Sequence, residues 1–265
     1  MFHSSEYLRY KEKLHGFDVA VIGGGQSGAE IVLDLLNSEV PSSIHWISAR
    51  RGILPIDESH FSNEWYTPAY VDYFWNLSTK KKTEILAHHT LSSDGVSPET
   101  IEELYQKLYK NKYLNNSRIK CNVMHSRLVE GIEKASDDYL LNIKNLDNDG
   151  LEFVNAQKII LATGYKQRPI PEMVEHIAKY IEFDGDGPVI NKDFSLKYSG
   201  AGAIYVVNSA RATHGVADPN LSLNAWRAAT IVNSILKTQH YKIPQEDIFA
   251  KMSFISDSAM KVNYG

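Results

Sequence analysis

The stretch that most constrains this chain runs from Phe17 to Ser38. FDVAVI is rich in β-branched and apolar residues, GGGQSG interrupts it, and AEIVLDLLNS then repeats apolar side chains at helical spacing. The order predicted is strand, tight turn, helix. Gly23, Gly25 and Gly28 fall on G-x-G-x-x-G, a pattern that is weak alone and informative between a strand and a helix. There Gly23 permits the turn, Gly25 lets main chain approach a pyrophosphate, and Gly28 lets the helix pack on the strand, with first-turn N–H groups facing the anion. Ser27, next to Gln26, adds a hydroxyl donor. A glycine-rich turn that holds no ligand is spelled the same way and stands as the alternative.

A second strand, SIHWIS at Ser43 to Ser48, follows the break at Pro41. It completes a βαβ unit and predicts an α/β fold with a Rossmann-like, doubly wound parallel sheet. Cofactor choice is read roughly 20 residues beyond the turn, where a carboxylate would favour NAD. The text there is Ser48-Ala49-Arg50-Arg51. Two guanidiniums suit the 2′-phosphate of NADP, since arginine bonds phosphate with a fork of donors. The alternative makes both arginines solvated surface residues with no part in that choice.

From Ala49 to about Pro68 the chain reads as a loop, then as helix over Ala69 to Leu91 and over Pro98 to Tyr113, the latter opened by Ser97 as N-cap. Strand-like pieces follow at Ile119 to Met124, Arg127 to Ile132, Tyr139 to Lys144 and Leu151 to Val154, with a turn at Asp147 to Gly150, and predict an antiparallel meander. KIILATGY closes a buried strand at Ala162. Another buried strand is expected at Ile204 to Ser209 and a final helix at Leu221 to Leu236.

At roughly 150 residues per domain, a chain of 265 holds one large α/β unit or two modest ones. An apolar share of 43% with 23% charged residues excludes a wholly disordered chain. With 28 basic and 32 acidic residues the net charge is −4, which leaves no electrostatic footprint for nucleic acid and points to small-molecule or protein partners. Apolar runs such as Ala203 to Val207 are far shorter than the roughly 18 residues of a membrane span, so none is expected. The charged N-terminus does not read as a secretory signal, and the lone Cys121 fits a reducing compartment, so the cytoplasm is expected.

Five segments together carry a resemblance: VIGGGQSGAE, DESHFSNEWYTPAY, LSSDGVSPETIEELYQKLY, ATGY and YVVNSARATHGVADPNLSLNAWRAA. From about Phe2 to Thr230 the chain resembles the flavin-dependent N-hydroxylating monooxygenases of siderophore biosynthesis, the lysine N6-hydroxylase and ornithine N5-hydroxylase family. DGVSPETIEELYQKLY looks more like the lysine and diamine branch. The resemblance implies a flavoprotein fold with two dinucleotide-binding domains, in which NADPH reduces FAD, O₂ is activated, and a neutral primary amine is N-hydroxylated. Chemistry of that kind belongs to the cofactor, and no protein acid/base triad is expected.

By that resemblance Gln26 and Ser27 touch NADP phosphates, and Asn63 contacts substrate and nicotinamide. Asp94 stands where the family has a substrate-loop asparagine. Asn220-Leu221-Ser222 forms the turn against the isoalloxazine ring, with Ser222 also near substrate. Relatives commonly carry arginine where this chain has Ala49, and Arg50 is the substitute. Relatives also begin with a separate glycine-rich FAD turn, then resume at a segment like HSSEY, here His3 to Tyr7. Gly185-Asp186-Gly187 and Gly200-Ala201-Gly202 do not replace it, because neither follows a strong strand and opens a helix. The implied organisation is a linker over 1–16, an NADPH-binding domain over 17–162 and the C-terminal segment of an FAD/substrate domain over 163–265, without the N-terminal FAD-binding segment. A homo-oligomer is left open. The rival readings are a non-catalytic NADP-binding remnant and a different NADPH-dependent reductase that shares the turn.

Other chemistry-bearing residues read blandly. His88 and His89 are adjacent rather than four apart, which suits solvated or capping roles and no metal site. Cys121 reads as an inert core thiol, Lys80 to Lys82 as an exposed helix face, and Trp226 as core, while Trp65, Tyr66, Tyr70, Tyr73, Phe74 and Trp75 read as helix packing, with the lining of a substrate mouth as the alternative. His214 is either a donor beside a flavin or a turn-ordering residue.

Overall fold

The computed structural model describes residues 1–114, 119–165, 168, 170–185, 187–243 and 248–250. Asp186 and the part of 163–265 beyond 250 lie outside the described residues. The chain divides into two compact units, Met1–Ile56 with Asp94–Lys166, and Asp57–Ser93 with Gln167–Gly265. Residues 57–93 thus group with the C-terminal segment, although the sequence reading kept 17–162 together.

Strands of the first unit are β1 (Phe2–His3), β2 (Asp18–Ile22), β3 (Ser43–Ile47), β4 (Lys120–Met124), β5 (Arg127–Ala135), β6 (Asp138–Asn145), β7 (Leu151–Ala156) and β8 (Lys158–Leu161). A parallel sheet runs in the order β1-β8-β2-β3-β4, and β5-β6-β7 forms a separate antiparallel meander. Successive side chains of a strand point to opposite faces, and both faces here are covered. Val19, Val21, Ile44, Trp46 and Ile160 pack with Ile31, Val32 and Leu35 of the Gln26–Ser38 helix and Leu104 of the Pro98–Tyr109 helix. Ala20, Ile47 and Ile159 face Leu141, Ile143, Val154 and Ala156 of the meander. Burial on both sides explains why these strands read as apolar runs rather than alternating ones.

Residues 1–16, read as a linker, belong to this core. Phe2 and His3 pair with Ile160 and Leu161. Tyr7 and Leu14 are buried, and the Tyr7 hydroxyl donates to Asp34 at 2.5 Å while Lys11 pairs with the same carboxylate at 2.7 Å.

Three sequence expectations need correction. Residues 120–124 pair in parallel with β3, Ser43 opposite Lys120, and so extend the main sheet instead of opening the meander. Alternation within a strand does not identify its partner. The helical stretch 69–91 is interrupted: Pro68–Trp75 ends at Asn76, and Ser78 caps the new helix Thr79–His88 by accepting from Lys81 N at 3.4 Å. Finally, Ile204 to Ser209 makes only a bridge between Tyr205 and Ser195. Asn208 takes a left-handed φ of 57° and Val207 is 57% exposed, so no ladder propagates.

The second unit holds two apolar clusters. Tyr70, Val71 and Phe74 pack with Val216, Ala217 and Leu223, while Ile181, Ile190, Phe194, Leu196 and Ala210 form the other. Trp226 of the Asn224–Leu236 helix borders both. Lys82 is less exposed than its neighbours and lies 5.1 Å from the Trp75 ring centre. No described helix is long and apolar enough to cross a membrane.

Candidate functional site

β2 ends at Ile22 and, after the glycines at 23, 24 and 25, the Gln26–Ser38 helix starts, with Gly25 as N-cap. Backbone geometry distributes the glycines between two tasks. At Gly23, φ is +129° and an added Cβ would lie 2.0 Å from the Ala162 carbonyl oxygen. At Gly28 it would lie 2.2 Å from the Gly23 carbonyl oxygen, which already accepts from Trp46 Nε1 at 2.8 Å. Under Gly24 sits Ser48 Oγ, 2.3 Å from such a Cβ. These three are required by packing. Gly25 is different: its backbone is extended and the nearest atom to an added Cβ is the Asp94 carbonyl oxygen at 4.0 Å.

No side chain caps this helix and no acidic residue occupies its first turn. Its first N–H groups therefore lack intrahelical acceptors and carry the positive end of the dipole. Ser27 is exposed at that end. The Gln26 side chain turns instead to the 97–100 segment, accepting from Ser97 N at 2.7 Å and donating to Thr100 Oγ1 at 3.2 Å. Arg50 lies across the same turn: Nη1 donates to the Asp94 carbonyl oxygen and Nη2 stands 4.0 Å from the Asp94 carboxylate. Arg51 is exposed. The first unit thus brings the glycine turn, Arg50 and Asp94 together. The long-range contacts by which Ser97 and Thr100 hold this arrangement, and the place of Ser48 beneath it, are not legible in the sequence, because nothing local signals a partner 71 or 74 residues away in the chain.

Asn63, Asn220, Leu221 and Ser222 belong to the second unit. Asn63 is exposed in the Ser62–Tyr66 turn. Beside it Trp65 stacks on His89 at 3.8 Å, and Tyr66 OH donates to Ser92 O at 2.6 Å. His89 also ends the Thr79–His88 helix, its N–H reaching Ile85 O. Asn220 caps the Leu221–Leu223 turn by accepting from Ser222 N at 2.9 Å, which leaves Leu221 79% exposed and Ser222 exposed.

His214 is enclosed by the second unit, stacked on Phe194 at 4.3 Å and 5.1 Å from the Trp75 ring centre. Nε2 lies 3.2 Å from the Lys192 carbonyl, which only accepts, so Nε2 carries the proton and Nδ1 faces the Thr213 hydroxyl at 2.8 Å. The histidine orders its turn. Burial lowers its pKa to about 4. A base whose folded pKa lies below its unfolded value stabilises fully above the unfolded value, near 6.5, and that stability is lost as pH falls toward the folded one. His214→Gln is therefore expected to flatten the loss between pH 6.5 and 4 by about 3 kcal/mol. Urea unfolding of both proteins across that range checks it; parallel curves would refute the assignment.

Two groups absent from the sequence reading stand out nearby. Asp218 and Arg227 are both buried, 2% and 5% exposed. Asp218 accepts from Ala210 N at 2.8 Å, and Arg227 reaches the Asp218 carbonyl oxygen and, at 3.1 Å, Asn224 Oδ1. Burial raises the Asp218 pKa, and the Arg227 charge opposes that rise. Burial likewise pushes the Cys121 thiol up to about 12, as an inert core thiol requires. Among the described residues, no three His, Cys, Asp or Glu side chains gather as a metal site.

A parallel sheet with an open glycine turn at the end of β2 defines a Rossmann-like dinucleotide-binding fold. The chain belongs to the L-lysine 6-monooxygenase/L-ornithine 5-monooxygenase family, whose model matches residues 1–167. It is 31% identical to the L-lysine N6-monooxygenase of Escherichia coli over 89% of this chain and 56% of that protein. It is 30% identical to a putrescine N-hydroxylase of Shewanella oneidensis over 92% and 49%. Among solved structures, the ornithine hydroxylase of Pseudomonas aeruginosa superposes with a TM-score of 0.77 at 27% identity, covering 89% of this chain and 56% of that one. An FAD-bound cadaverine monooxygenase of Erwinia amylovora shares the fold, with a TM-score of 0.87 at 24% identity over 97% and 60%. The chain spans about half the length of the curated relatives it matches.

Proposed function

We propose that this chain forms the NADPH-handling part, and a returning piece of the FAD and substrate region, of a cytoplasmic amine N-hydroxylase of siderophore biosynthesis. Its substrate class is a primary amine, namely lysine, ornithine or a diamine, with O₂ as co-substrate; a homo-oligomer is compatible with the reading. The observation that carries it is Gly25. Packing demands glycine at 23, 24 and 28, whereas at 25 the structure leaves room for a side chain, so a ligand is the reason for its absence there.

The residues present suit a dinucleotide. N–H groups at the uncapped helix start and the exposed Ser27 hydroxyl are placed to bind a pyrophosphate. The Arg50-Arg51 pair after β3 supplies a guanidinium for a 2′-phosphate. The exposed Leu221, held out by the Asn220 cap, suits the face of a flat ring. Asn63 and Ser222 present exposed polar groups for amine or nicotinamide. Asp94, assigned to substrate by resemblance, stands beside Arg50 and so close to the nucleotide. When bound, NADPH supplies a hydride to FAD, and the flavin with O₂ supplies the oxygen inserted at nitrogen. The protein's part is to orient the ligands and exclude water.

Gly25→Ala tests the reading without disturbing the fold. Stability is expected to change by less than about 1 kcal/mol, while NADP⁺ affinity, measured by equilibrium titration, falls at least about tenfold. Unchanged affinity would overturn the reading. With FAD supplied, NADPH-dependent hydroxylamine formation across lysine, ornithine, cadaverine and putrescine identifies the amine.

A further inference from the structure

The two arginines after β3 occupy different situations. Arg50 is tied at three points: its N–H donates to Ser48 Oγ at 3.1 Å, its carbonyl accepts from Ser126 N at 2.7 Å, and Nη1 donates to the Asp94 carbonyl oxygen. Ser48, its first anchor, is 3% exposed and lies under Gly24, so this clamp reaches the floor of the glycine turn. At the other end the clamp grips the residue whose carbonyl oxygen borders Gly25, and the Asp94 carboxylate faces the same guanidinium at 4.0 Å. An arginine that already donates inward and faces a carboxylate has lost part of the fork that grips phosphate. Arg51 is the next residue along and is exposed.

We infer a division of labour between them: Arg51 recognises the 2′-phosphate of the dinucleotide, and Arg50 is a positioning residue that holds the 94–97 segment as a wall beside the glycine turn. This deepens the reading above and rests on it. Arg51 sets the preference for NADP over NAD. Arg50 sets the shape of a cradle that any dinucleotide uses, with Gln26 fastening the same wall through Ser97 N.

The test is equilibrium titration of the 265-residue chain and its variants with NADP⁺ and, separately, NAD⁺. Arg51→Ala, at an exposed position, is expected to weaken NADP⁺ about tenfold or more and to leave NAD⁺ unchanged. Arg50→Ala is expected to weaken both by a similar factor, so that their ratio stays at the wild-type value. An Arg51→Ala protein that keeps the wild-type preference overturns the assignment, as does an Arg50→Ala protein that loses it selectively. Should Arg50→Ala fail to fold, the Arg51→Ala arm decides alone. Wild-type protein that binds both dinucleotides equally overturns the division while leaving the dinucleotide reading intact; protein that binds neither overturns both.

Discussion

Replacing Gly23 with alanine is expected to destabilise the first unit by about 4 kcal/mol. Two effects add. A φ of +129° is a backbone conformation that a side chain rarely adopts, and the new Cβ would meet the Ala162 carbonyl oxygen at 2.0 Å and its carbon at 2.6 Å. Neither obstacle is the end of a flexible side chain. Ala162 N donates to Ile22 O at 2.7 Å as the sheet closes, so relief requires moving β8 against β2. Gly28→Ala meets a similar barrier at the Gly23 carbonyl, and Gly25→Ala, with nothing nearer than 4.0 Å, is the control. Urea unfolding followed by circular dichroism measures all three. A Gly23→Ala protein within about 1 kcal/mol of wild type would show that the turn is looser than described.

Arg227→Met is expected to lower stability by about 3–4 kcal/mol, the order expected when a buried charge-assisted hydrogen bond is lost and its acceptor stays buried. The reason lies in what remains. Asp218 is 2% exposed and keeps its hydrogen bond from Ala210 N, while its Oδ1 has no hydrogen-bond partner among the described residues. Without the guanidinium its carboxylate loses the opposing charge that offsets burial. The same substitution removes the bond to the Asp218 carbonyl, so the 210–218 loop loses a main-chain anchor as well. Adding Asp218→Asn to Arg227→Met is expected to recover part of the loss, because a neutral amide is cheaper to bury. A double variant no more stable than Arg227→Met would mean that the lost packing over Phe194, 5.6 Å from the guanidinium carbon, dominates instead of the charge.

Much of the first unit was legible locally. Phe17 to Ser38 spelled out strand, turn and helix because each carries its own periodicity, and Ser97-Pro98-Glu99 announced a helix start that the structure keeps, Ser97 Oγ accepting from Thr100 N at 3.4 Å. Thr67-Pro68 carries the same signal for the Pro68–Trp75 helix, where Thr67 Oγ1 accepts from Tyr70 N at 3.2 Å. Partners were a different matter. Whether residues 120–124 join the meander or the parallel sheet depends on which edge is free, and Ile204 to Ser209 looks like a strand until Asn208 turns left-handed.

What the sequence determined by itself is the strand, glycine turn and helix of 17–38, since glycine spacing and flanking periodicity are local properties that need no partner to be read. Tertiary structure alone decided which glycine has room for a side chain, that Arg50 is bonded to Asp94 while Arg51 is exposed, and that Asp218, Arg227 and His214 are each buried. Those outcomes depend on distances between residues far apart in the chain, and side-chain charge and clearance take their values only once packing has excluded water and fixed the neighbours.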